Sequence, residues 1–127
     1  MINLAFILAT QMFVQAPPAA TFDGQCLYPD AVRERAVGTV LAACNRAIVA
    51  EGGVAFVIRG TSQQMQFRGT WEGDRLTVSS VVVRGREPAQ ARGLCQLYEA
   101  DERLSTIACT AVARHQSYAA NFLASRI

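Results

Sequence analysis

The chain has 127 residues, four cysteines and a formal net charge of +2. Its twelve basic residues are all arginine and face ten acids, a balance too even to argue for nucleic acid or an anionic membrane as a partner. The length suits one domain rather than two, and no low-complexity run, repeat or Asn-x-Ser/Thr acceptor interrupts it.

Residues 2–16, INLAFILATQMFVQA, are almost wholly apolar and are followed by PPAAT, the apolar core and small-residue tail of a secretory signal peptide. Its start carries no Lys or Arg, so only the α-amino group supplies positive charge. Residues 1–20 are expected to be a cleaved signal, cut after Ala19 or Ala20, because Pro17 disfavours cleavage after Ala16. About 15 apolar residues fall short of the ~20 that span a bilayer, so no transmembrane span is expected after signal removal. A lipoprotein would need a cysteine directly after the apolar run, and Cys26 lies behind Asp23-Gly24-Gln25. Export to the periplasm or out of the cell would place all four cysteines in an oxidising compartment, where an even count implies bridges.

Residues 21–127 then read as a single disulfide-stabilised β-rich domain. Residues 21–28 are extended, and Pro29-Asp30 begins a short polar helix over 31–36 with Asp30 as its cap. Residues 37–50 fit a helical stripe or a strand, and a strand over about 39–50, turning at Glu51-Gly52-Gly53, is the favoured reading. Val54–Ile58 is rich in β-branched and aromatic residues. Met65, Phe67, Gly69 and Trp71 alternate with polar residues, and Leu76 to Val83 restarts the alternation after the turn at Glu72-Gly73-Asp74, which makes a hairpin. A loop spans 85–90. A second hairpin follows over about 92–100 and 104–113, and Tyr118–Leu123 is a last strand. The expected fold is mainly β: a small antiparallel sandwich or barrel of about seven short strands, with one short N-terminal helix and two disulfides. Apolar runs such as Val81-Val82-Val83 and Ile107-Ala108-Cys109 favour sheets packed on each side.

A three-residue loop at 101–103 would set Ala100 opposite Leu104, Leu97 opposite Ile107 and Cys95 opposite Cys109. Directly opposed side chains have Cβ atoms about 4.5–5.5 Å apart, near what a bridge needs. The register therefore predicts Cys95–Cys109, leaving Cys26–Cys44 by elimination. No Cys-x-x-Cys is present for redox exchange, and the spacing does not suit zinc. No metal or cofactor is expected.

Chemistry is sparse. The one histidine, His115, lies in a polar turn, and neighbouring Ser117 lacks a Gly-x-Ser-x-Gly elbow. Glu99, Asp101 and Glu102 cluster at a hairpin tip, where charge serves solubility. Arg59, Arg68, Arg84, Arg86 and Arg92 form the one basic grouping; Arg84, Arg86 and Arg92 flank a single loop and are the candidate anion-binding residues, since guanidinium suits bidentate contact with carboxylate or phosphate. A solvated edge that blocks strand-to-strand aggregation accounts for the same residues. Gly69-Thr70-Trp71 resembles the Gly-x-Trp of the lipocalin first strand, but lipocalins place it before seven further strands and too little chain follows it here, so Trp71 is assigned to the core.

The sequence thus points to an exported, non-catalytic domain that binds a protein or an anionic component of the cell envelope. The rivals are a small apolar-ligand carrier, with Phe67, Trp71 and Tyr98 around a cavity, and a small hydrolase using His115.

Overall fold

From Arg46 to Ala124 the chain alternates inward and outward side chains through successive antiparallel hairpins, and the sheet so formed curls until its first and last strands share a neighbour. The computed structural model describes residues 16–35, 37–61 and 64–125; the leader expected at residues 1–15 lies outside them. The elements are β1 (Ala20–Cys26), α1 (Asp30–Arg35), β2 (Thr39–Leu41), β3 (Arg46–Ala50), β4 (Gly53–Val57), β5 (Gln64–Glu72), β6 (Arg75–Val83), β7 (Ala89–Ala100), β8 (Arg103–Ala113) and β9 (Gln116–Ala124).

Strands β1 and β3 to β9 form an antiparallel eight-stranded barrel. Closure falls on β1, whose residues Ala20–Asp23 pair with β3 while Gly24–Cys26 pair with β9. Gly24 stands where the strand changes partner. A Cβ there would collide with the Leu123 carbonyl and the Phe122 ring, so only glycine lets β1 approach β9. The short strand β2 adds to β9 in parallel, opposite Ser117–Ala119.

An eight-stranded barrel is just wide enough for its own side chains to fill. Phe56, Phe67, Phe122, Leu76 and Ile107 are fully buried inside it. The Phe56 ring meets Phe67 edge-on with centroids 5.9 Å apart and lies tilted 6.4 Å from Phe122. Burying each such side chain is worth roughly 1.5–3 kcal/mol. Trp71 is 4% exposed, as its assignment to the core requires, and its indole N–H donates to the Ala50 carbonyl at 2.9 Å.

Both disulfides form as the register and elimination require, Cys95–Cys109 and Cys26–Cys44. The route to the first differs from expectation. The second hairpin turns on two residues, not three: Ala100 faces Arg103, and Asp101 and Glu102 both have positive φ, as a type I′ turn demands. A bulge between Tyr98 and Glu99 then restores the count, so Leu97 faces Ile107 and Cys95 faces Cys109.

Other expectations are corrected or refined. The strand expected over 39–50 is two strands, because Ala42–Asn45 leaves the ladder to meet β1, where the Cys26 N–H donates to the Cys44 carbonyl at 2.9 Å. With that split, and with the extended 20–26 segment forming strand β1, the strand count rises from seven to nine. The loop ends earlier than expected, since β7 begins at Ala89. Of the two architectures expected, the barrel is formed, because the one sheet closes on itself. The helix is present over Asp30–Arg35, but the Asp30 carboxylate pairs with the Arg33 guanidinium rather than capping the first turn.

Candidate functional site at the basic end of the barrel

In an up-and-down barrel every connection alternates between the two rims. The turns at 51–52, 73–74 and 101–102 lie at one end, and the β4–β5, β6–β7 and β8–β9 connections lie at the other. This alternation separates the charges. The first end carries Glu51, Glu72, Asp74, Glu99, Asp101 and Glu102, offset by Arg75 and Arg103; the second carries Arg59, Arg84, Arg86, Arg92 and Arg114, offset by Glu87, and the β1–β3 connection on that side adds Arg33 and Arg35 against Asp30 and Glu34. A chain with a net charge of only +2 is therefore bipolar along its barrel axis.

Among the described residues the ion pairs are Asp30–Arg33 and Asp23–Arg46, and neither uses Arg59, Arg84, Arg86, Arg92 or Arg114. All five side chains there are exposed. The backbone beneath them is fixed: the Arg84 N–H donates to Gln64 at 3.2 Å, the Arg86 N–H to Val83 at 3.0 Å, and the Arg59 N–H to the Asn45 side chain at 2.8 Å.

Of the arginines singled out in the sequence, Arg84, Arg86 and Arg92 share this end but not one hollow. Arg84 and Gly85 border a hollow of about 490 Å³ over Leu41, Gln64, Met65 and Val83. Arg92 borders a larger groove of about 930 Å³ together with Arg114. Arg86 projects from the turn between them. Arg68 belongs elsewhere, on the outer wall, where its guanidinium donates to Gln66 at 2.9 Å. Arg114 is the residue that sequence reasoning missed; alternating the connections between the rims would have placed it with the others.

The groove arises where the barrel wall forks. The β7–β8 ladder ends at Arg92 opposite Val112, while β7 continues on β6 as far as Ala89 opposite Val81, and β8 continues on β9 as far as Ala113 opposite Gln116. Between Val78 and Ser80 the β6–β7 register shifts, a bulge that re-aims the chain at Ala91-Arg92. Arg114 sits in the left-handed region, with φ 52°, as the first residue of the two-residue β8–β9 turn, which fixes where its side chain leaves the rim.

The remaining candidates are dispersed. His115 is exposed in the β8–β9 turn, and Ser117 lies on β9 beyond it. The carrier reading placed Tyr98 with Phe67 and Trp71; Tyr98 instead points outward, 52% exposed, and only the other two face the interior. Tyr28 holds the seam near this end. Its hydroxyl donates to the Ala42 carbonyl at 2.7 Å and accepts from the Asn121 N–H at 3.4 Å. Burial pushes its phenol above the ordinary value, and the backbone bonds at Asn121 and Ala42 pull the other way.

Comparison with protein-family models, curated proteins and solved structures returns no match for the chain.

Proposed function

We propose that this protein is an exported, non-catalytic binding domain that docks its basic end onto an anionic protein or component of the cell envelope. One observation carries the reading: arginines from three separate connections converge on a single rim, exposed and without ion-pair partners among the described residues, while six carboxylates gather on the opposite rim. Such a distribution steers an anionic partner to one end and repels it from the other. Guanidinium groups suit the task because they grip carboxylate and phosphate in bidentate fashion. The two disulfides and the absence, among the described residues, of a helix long and apolar enough to cross a membrane are compatible with export.

The test is capture of cell-envelope material on the oxidised domain and on its R84E/R86E variant, at low and moderate salt. Charge reversal should weaken capture at least about tenfold, the scale of losing charge-assisted hydrogen bonds, and added salt should weaken wild-type capture in the same direction. Capture that is equal in the two proteins would sink the reading.

A further inference from the structure

We propose that the forked groove between β7 and β8 is a binding site for a small amphiphilic anion, a carboxylate or phosphate joined to an apolar tail. The inference rests on the same reading of the basic end and names the ligand class for one part of it. Arg92 and Arg114 stand on the groove's two banks, and no acid lines it. Between them the wall is mostly apolar, formed by Ala89, Ala91, Val112 and Ala113 with Tyr118 of β9, while Ser79 and Gln90 also line it. The small alanine side chains leave the space that a tail would occupy. At about 930 Å³ the groove has the size of sites that hold small organic ligands.

Three independent features shape this place. The ladder between β7 and β8 stops at Arg92 opposite Val112, so the strands part there. The register shift beside Ser79 turns Arg92 onto the groove's edge. Arg114 holds a left-handed backbone, φ 52°, at the opposite edge. Two guanidinium groups on either side of an apolar cleft recognise a charged head and a tail at once. The headgroup could belong to a free amphiphile or to a lipid in a bilayer, and the two sources share this chemistry.

The test titrates the oxidised domain with decanoate, and with decyltrimethylammonium as the cationic counterpart, while backbone amide resonances are followed by NMR. Decanoate should give saturable shifts centred on Ala91, Arg92, Ala113, Arg114 and Tyr118, and the cation should not. R92E/R114E should weaken decanoate binding by about tenfold or more, whereas R75E/R103E, the same charge change at the opposite end, should leave it intact. Vesicles of phosphatidylglycerol separate the sources: co-sedimentation lost in R92E/R114E assigns a lipid headgroup, and decanoate binding without vesicle binding assigns a free amphiphile; either supports the site. Decanoate shifts that are absent, centred elsewhere or unchanged in R92E/R114E overturn it. If envelope capture still falls in R84E/R86E in that case, the proposed function stands and only the groove is lost.

Discussion

The two ends of the barrel are built by different means. At the acidic end the chain turns tightly, with two-residue turns at 51–52, 73–74 and 101–102, and the segment Ala16–Ala19 approaches the mouth, with Ala16 packed against the core. At the basic end the β4–β5 and β6–β7 connections are longer, although the β8–β9 turn at 114–115 is again two residues, the wall forks between β7 and β8, and the chain between β1 and β3 is sewn in by a disulfide and by Tyr28. Tight turns leave little backbone free to shape a site, whereas a bulge and a broken ladder create recesses. Regularity at one end and irregularity with exposed arginines at the other are the contrast on which the proposed binding face rests.

Mutations at each end should break or sharpen that contrast. The largest effect is expected from C26A/C44A, which frees a loop of sequence separation 18 and should cost about 3 kcal/mol in urea unfolding. Hydrogen exchange should then rise around Ala42, Cys44 and Phe122 while the 73–74 turn stays protected; uniform loosening of both ends would deny the seam its special role. Trp71→Phe acts at the acidic end, where it removes the bond to Ala50 and part of a buried ring, for a loss of about 1–2 kcal/mol with no change in arginine-end binding. Tyr28→Phe should cost about 1 kcal/mol at neutral pH. Because burial raises the Tyr28 phenol above 10.0, its stabilising contribution is present below pH 10 and is lost as pH rises through the raised value. Y28F should therefore flatten the alkaline limb of a stability–pH profile, and an unchanged limb would contradict that linkage. Glu102→Gly is the smallest and has the opposite sign. Relief of the left-handed backbone at φ 63° should raise the urea midpoint by up to about 1 kcal/mol equivalent.

The regular end was also the readable one. Gly73-Asp74 between two alternating runs fixes its hairpin by local chemistry, and the burial of Phe67, Trp71, Leu76 and Val78 follows from period-two alternation alone. The Cys95–Cys109 pairing was legible even though the turn was misjudged, because the bulge at Tyr98/Glu99 cancels the one-residue error. Residues 39–50 resisted reading because Ala42–Asn45 is placed by partners in β1 and β9, far away in sequence, so no local pattern marks the break. Arg84, Arg86 and Arg92 stood out because they flank one loop. Their union with Arg59 and Arg114 depends on which rim each connection occupies, and Arg114's backbone conformation leaves no compositional trace.

The path of β1 and β9 has a practical corollary. β1 sets out from the acidic rim, with Ala20 opposite Val49 beside the 51–52 turn, whereas β9 ends where the Ser125 N–H donates to the Asp23 carbonyl at 2.8 Å and Ser125 borders a hollow with Asn45 and Arg59. An affinity tag, a resin or a fused domain joined ahead of β1 would therefore grip the carboxylate rim and hold the arginines outward, whereas one joined after β9 would sit beside Arg59 and crowd the basic face.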